Sequence, residues 1–161
     1  MAGSANSRAL SALGISVNPP AGWEATIYRR SARPGESTFP VLHASTTRLP
    51  SVRGDYGSGA VELLSPDDVF VAILDFGPSA AGTPLFSGLR AVPGLTPDVY
   101  RTRQLQRTIR GQAGVQRFFT LHGRGFCLYS VIGSLANRVP LTARANQLIG
   151  SIHIDPQGAG Q

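Results

Sequence analysis

Residues 126–132 read FCLYSVI and residues 69–76 read VFVAILDF. Apolar side chains occupy both the odd and the even positions of each stretch, and successive side chains of a β-strand point to opposite faces of its sheet. A strand that is apolar on both faces lies in the middle of a sheet that is covered on both sides. The two stretches therefore predict central strands with a buried layer on each face.

Further strands are predicted around these two. Clusters of glycine, proline, asparagine and aspartate separate short apolar segments at fairly regular spacing, which is typical of strands. The predicted strands span residues 13–17, 24–30, 38–45, 68–76, 103–109, 115–121 and 126–132. NPPAG at 18–22 predicts a turn between the first two strands, and HGRG at 122–125 predicts a hairpin between the last two.

One helix is predicted near the end of the chain. In VPLTARANQLIGS, residues 139–151, Leu141, Ala145 and Leu148 follow the i, i+4, i+7 spacing. Pro140 suits a first helical position and Gly150 a stop. A shorter helix is predicted for SRALSAL at 7–13, and a short final strand for SIHI at 151–154.

The order of these elements predicts the α+β class, as a single domain of mainly antiparallel sheet with one or two packing helices. The alternative is a two-sheet β-sandwich with one added helix. The domain is predicted to span residues 12–156, with residues 1–11 and 157–161 as flexible termini.

An early Pro20, Gly22 and Trp23 precede a strand, and a hairpin, a helix and a short strand close the chain. This order of elements resembles the PsbP-like superfamily and covers most of the chain. The resemblance implies a non-enzymatic binding or assembly module and carries no catalytic or cofactor-binding residues across.

The composition indicates a globular protein. The 161 residues are 42% hydrophobic and 15% charged, which suits one folded domain better than a disordered chain. The longest apolar run is far shorter than the roughly 18 residues of a membrane-spanning helix, so no membrane association is predicted. The first sixteen residues hold one arginine and no apolar block of a secretory signal, which predicts a cytoplasmic location. The lone cysteine, Cys127, is predicted to be a buried and inert thiol.

Positive charge is segregated along the chain. All fifteen basic side chains are arginine and none is lysine, which indicates a GC-rich, bacterial genome. Residues 1–98 carry seven arginines and eight acids, whereas residues 99–154 carry eight arginines and no acid. The basic half predicts contact with an acidic protein partner or with a second copy as a homodimer. The alternative is weak, salt-sensitive nucleic-acid binding.

Four arginines of the segment YRTRQLQRTIRG, residues 100–111, are the first candidates for partner binding. As a strand, the segment would place Arg101, Arg103 and Arg107 on one side, with Arg110 at its end. Guanidinium groups bind carboxylates and phosphates through paired hydrogen bonds. The alternative is a solvated edge strand whose charges prevent aggregation.

The stretch VRGDYGSGA, residues 52–60, is the second candidate. A phosphate-binding loop of the P-loop type needs a lysine, which this chain lacks, and only two glycines of a dinucleotide fingerprint are present. A turn is therefore predicted. The remaining hypothesis is a mobile loop, residues 49–59, in which Arg53, Asp55 and Tyr56 contact a partner.

Catalytic and metal-binding patterns find no support in the sequence. His43, His122 and His153 are scattered, no G-x-S-x-G elbow occurs, and no His or Cys pair has metal-ligand spacing. The sequence therefore predicts no enzyme, no cofactor and no metal site. A small-molecule pocket or active site beneath the long segment 77–97 remains the least favoured hypothesis.

Overall fold

The computed structural model describes residues 9–156, which form two antiparallel sheets and one α-helix within that range. The predicted α+β class is confirmed. The small sheet has the order β1-β2-β8, and the large sheet has the order β3-β4-β5-β7-β6. The elements are β1 Leu10–Ala12, β2 Ile15–Val17, β3 Glu24–Arg29, β4 Pro40–Ser45, β5 Val69–Gly77, β6 Ala113–Leu121, β7 Arg124–Ile132, α1 Arg138–Ile149 and β8 His153–Ile154.

The two strands that are apolar on both faces, β5 and β7, lie side by side at the centre of the large sheet. Their register pairs Ile73 with Leu128 and Phe70 with Val131. Ile73 and Leu128 belong to a core on one face, and Phe70 and Val131 belong to a second core on the other. The prediction of two central strands with a buried layer on each face is confirmed.

Helix α1 and the small sheet cover the first face of the large sheet. Leu141, Ala145 and Leu148 of the helix are buried in the core of that face, together with Ile15 and Ile154 of the small sheet. The helical spacing in the sequence therefore identified the buried side of α1 correctly. The side chain of Asn146 fastens the segment before Tyr100 to the helix, because it both accepts from and donates to the backbone of Leu95, at 2.9 and 2.8 Å.

Irregular segments cover the second face. Val61, in a single 3-10 turn at Val61–Leu63, is buried there, and Leu105 and Ile109 pack against the same core. Strands β6 and β7 extend beneath these segments and form the predicted hairpin. Its turn residues, His122 and Gly123, have φ values of 49° and 73°, as a two-residue type I′ turn requires.

The strand predicted for residues 103–109 is wrong. A 3-10 turn occupies Thr102–Gln104, and the chain then leaves the sheet edge. Only Arg101 pairs with the edge strand β6, through two backbone hydrogen bonds with Gly114. The alternating pattern imitated a strand because Leu105 and Ile109 are needed to cover the second face, not because the segment pairs along β6.

The helix predicted for residues 7–13 is also wrong, because Leu10–Ala12 forms β1, antiparallel to β2. The predicted flexible N-terminus thus overlaps a strand at residues 10–11. Residues 1–8 and 157–161 lie outside the described residues. Within residues 9–156, no helix combines the length and apolar character needed to cross a membrane.

Candidate functional site

The two candidate segments meet on the second face of the large sheet. The 49–59 loop contributes Asp55 and Tyr56 to the wall of a cavity, and the arginine segment, residues 101–110, contributes Leu105 and Arg107. The cavity has a volume of about 230 Å³ and is called the Tyr56 cavity below. The sequence predicted both segments separately and gave no sign that they share a site.

Buried His43 of β4 holds the 49–59 loop against the sheet. Its Nδ1 accepts a hydrogen bond from Arg53 Nε at 2.8 Å, and its Nε2 lies 2.6 Å from the backbone oxygen of Asp55. Since a guanidinium only donates and a carbonyl only accepts, the ring is neutral with its proton on Nε2. Burial, which is the largest cause, and the Arg53 charge lower the pKa of His43 to about 4, although the bond to the Asp55 carbonyl opposes them.

Arg53 is therefore part of the support of the loop. Its guanidinium also donates to the Pro50 oxygen and lies 5.5 Å from the ring centre of Tyr28. These contacts engage Nε and Nη1 of the guanidinium group, which the sequence hypothesis had assigned to a partner. The structure places Arg53 beneath the loop rather than at its outer surface.

Asp55 is fastened by two residues near the end of β3. Its carboxylate accepts a hydrogen bond from the Tyr28 hydroxyl at 2.7 Å and lies 3.3 Å from Arg30 Nε. The arginine and aspartate of the RGD tripeptide thus both bind the sheet. This arrangement suits a fixed turn, as predicted.

Gly57 brings the loop into contact with the core. Its φ is +84°, and its N–H donates to the Gly54 oxygen at 2.8 Å. A Cβ at this position would lie 2.5 Å from the ring of Phe70. The glycine is therefore required both by the backbone conformation and by the close approach to the core.

The side chain of Tyr56, in the loop, packs against the sheet. Its ring meets the ring of Tyr129 edge-on, with centroids 5.4 Å apart. Burial raises the pKa of Tyr56 to about 12, and burial likewise raises the pKa of the neighbouring Cys127 thiol to about 12. The predicted inert thiol agrees with this geometry. Asp55 and Tyr56 also line a second cavity, which has a volume of about 300 Å³.

The arginine segment is fastened at several points. Arg101 binds Gly114 through its backbone, and its guanidinium donates to the backbone oxygens of Asp98 and Tyr100. Farther along, the Gln106 N–H donates to the Tyr129 hydroxyl at 3.1 Å. The segment is therefore an anchored surface layer.

The arginines of this segment differ in how free they are. Arg107 lies 3.6 Å from Glu62, with 75% of its side chain exposed. Within the described residues, the side chains of Arg103 and Arg110 are exposed and have no ion-pair or hydrogen-bond partner. The sequence hypothesis of one charged side on one strand is wrong, but the exposed guanidinium group of Arg107 lines the Tyr56 cavity.

Gln112 is a residue of the site that the sequence did not indicate. It lines the Tyr56 cavity and is only 3% exposed. Its Nε2 donates to the Val61 oxygen at 2.8 Å, whereas its Oε1 has no hydrogen-bond partner among residues 9–156. Apolar walls from Val61, Leu105 and Val131 complete the cavity.

No group of three or more His, Cys, Asp or Glu side chains suited to a metal ion occurs in the part of the chain that the structure describes. Comparison of the chain with protein-family models, with curated proteins and with solved structures gives no match. Function is therefore inferred from the geometry of the site.

Proposed function

We propose that this chain is a non-catalytic protein-binding or assembly module. Its contact surface is the arginine segment together with the adjoining wall of the 49–59 loop, and its partner is an acidic protein surface. The observation that carries the proposal is the pair of exposed, unpartnered guanidinium groups of Arg103 and Arg110 on a segment that is fastened to the sheet.

Anchoring matters because it lowers the entropic cost of binding. Leu105 and Ile109 are held by the second core, so the backbone that carries the arginines is already ordered before a partner arrives. Charged groups on such a surface steer an oppositely charged partner and increase its association rate. Exposed arginine suits a protein contact, since arginine is enriched at protein interfaces.

Two reactive side chains near the site support a non-catalytic role. Both ring nitrogens of His43 are engaged by Arg53 and Asp55, and the pKa of about 12 keeps the Cys127 thiol protonated at neutral pH. Neither residue is prepared to act as a base or nucleophile.

The test is the affinity for poly-glutamate, an acidic polypeptide, measured at low salt and at about 0.2 M salt. Replacing Arg103 and Arg110 by alanine is expected to weaken binding about tenfold at low salt, and the difference should shrink as salt screens the charges. The matched control replaces Arg48 and Arg90, which are exposed arginines outside the segment and give the same change in net charge.

Equal weakening by the two double variants would show that net charge, and not this surface, attracts the polymer. Duplex DNA that binds more tightly than poly-glutamate at about 0.2 M salt would favour the nucleic-acid hypothesis instead, because non-specific DNA binding falls steeply with salt.

A further inference from the structure

We infer that a cavity beside the β6–β7 hairpin binds the phosphate group of a small, hydrophilic phosphate ester. One wall of this hairpin cavity is formed by the hairpin at residues 120–123, and the other by the segment at residues 82–90. None of its lining residues belongs to the 49–59 loop or to the arginine segment, so the site is independent of the proposed contact surface. Its second wall is part of the long segment 77–97, where the least favoured sequence hypothesis placed a small-molecule pocket.

The size and polarity of the hairpin cavity suit a small hydrophilic molecule. Its volume is about 450 Å³, within the roughly 300–1,000 Å³ of small-molecule sites. Among the described residues that line it, Leu121 alone has an apolar side chain, and the rest are glycine or polar residues. An apolar ligand would therefore find few matching contacts, whereas a sugar or another polyol would find polar ones.

The charge of the walls favours an anion. Arg90 lines the cavity from the segment and His122 from the hairpin, and no Asp or Glu occurs among the described lining residues. Both residues are exposed, and neither side chain has an ion-pair or hydrogen-bond partner within residues 9–156. Their donors are therefore accessible to a ligand and are not used by the fold.

Phosphate matches these donors better than a carboxylate does. A guanidinium binds two phosphate oxygens through paired hydrogen bonds, and an imidazole N–H can donate to a third oxygen. The backbone N–H groups of His122 and Gly123 also have no acceptor within residues 9–156. A phosphate monoester offers three terminal oxygens to donors that come from both walls, whereas a carboxylate offers two.

The two walls are joined before any ligand binds. The Thr120 N–H donates to the Leu89 oxygen at 2.9 Å, and the Thr120 hydroxyl donates to the Phe86 oxygen at 2.9 Å. The same hydroxyl oxygen accepts from the Gly82 N–H at 3.4 Å. The ring of Phe86 is buried and meets the ring of Phe118 edge-on, with centroids 5.4 Å apart. Little further ordering of the segment is then required on binding, which lowers the entropic cost.

The experiment is an NMR titration of the ¹⁵N-labelled chain with glucose 6-phosphate, a hydrophilic phosphate ester. The largest amide shifts are expected in residues 82–90 and 120–123, and Arg90→Met should weaken binding about tenfold. Arg48→Met is the matched control, because Arg48 is exposed, lies outside the cavity and gives the same change in net charge. It should leave the affinity nearly unchanged. His122→Asn should also weaken binding, since asparagine suits the φ of 49° in this turn but lacks the imidazole.

Other results would overturn the inference and leave the proposed contact surface intact. Absence of shifts in both walls would remove the site, and equal weakening by Arg90→Met and Arg48→Met would show attraction by net charge alone. Glucose that binds as tightly as glucose 6-phosphate would exclude a phosphate contact. Glucuronate that binds as tightly would replace the phosphate by a carboxylate, and inorganic phosphate that binds as tightly would show that the cavity holds only the ion.

Discussion

Single residues under the 49–59 loop explain why the loop has one conformation. His43 can serve Arg53 and Asp55 together only as a neutral ring, because a second proton on Nδ1 would face the Arg53 guanidinium. The loop that forms one wall of the Tyr56 cavity therefore depends on the protonation state of a residue beneath it.

Acid should destabilise the protein through His43. Its pKa falls from the ordinary 6.5 to about 4 in the folded chain, so the unfolded chain binds more protons between these values. Stability is then fully present above about pH 6.5 and decreases as pH falls through this window, by up to about 3 kcal/mol. Urea unfolding at a series of pH values measures the effect.

The control for this prediction is the His43→Gln variant. Burial raises the pKa of Asp75, so this carboxyl keeps its proton longer in the folded chain and acts in the opposite direction. Its contribution is common to both proteins and cancels when the two slopes are compared. Identical pH dependence in the two proteins would show that His43 is not the titrating group.

The contact between Gly57 and Phe70 makes a second residue-scale prediction. Gly57→Ala should cost about 2–4 kcal/mol, because the new methyl group meets the Phe70 ring at 2.5 Å and the φ of +84° disfavours alanine. Gly35→Ala is the matched control, since Gly35 has a φ of +79° with nothing within 4 Å. It should cost about 1 kcal/mol, the backbone strain alone. Equal losses in thermal or urea unfolding would contradict the close packing of the loop.

At the scale of elements, the sequence correctly predicted the strands and the helix whose burial pattern matches their secondary structure. β5 and β7 are apolar on both faces because each faces a core on either side, and α1 buries the residues of its helical repeat. The same reasoning gave a wrong prediction for the arginine segment. The spacing of its apolar residues reflects their packing against the second core, and no partner strand extends beyond Arg101.

The central position of β7 can be tested by removing a core side chain. Leu128→Ala should cost about 2–5 kcal/mol, because Leu128 is fully buried opposite Ile73 and its truncation leaves a cavity. The free energy of unfolding in urea measures this loss. A change under about 0.5 kcal/mol, the usual size for surface positions, would place Leu128 outside the core.

At the scale of the whole molecule, the fold class was predictable and the site was predictable only in pieces. The charge count indicated the arginines as candidates for partner binding, and Asp55 and Tyr56 made the loop a second candidate. The arginine segment and the loop come together on the second face through long-range packing, which a local sequence pattern does not predict. Gln112 gave no signal, because a single amide in a polar segment is unremarkable until its burial is known. The resemblance to the PsbP-like superfamily stays a prediction.

The most direct test of the central claim is to locate the contact surface on the folded protein. Backbone amide resonances of the ¹⁵N-labelled chain would be followed during titration with poly-glutamate at low salt. The proposed function predicts that the largest shifts fall in residues 101–110 and in residues 54–62, on the second face of the large sheet. Shifts confined to α1 and the small sheet, on the opposite face, would contradict it.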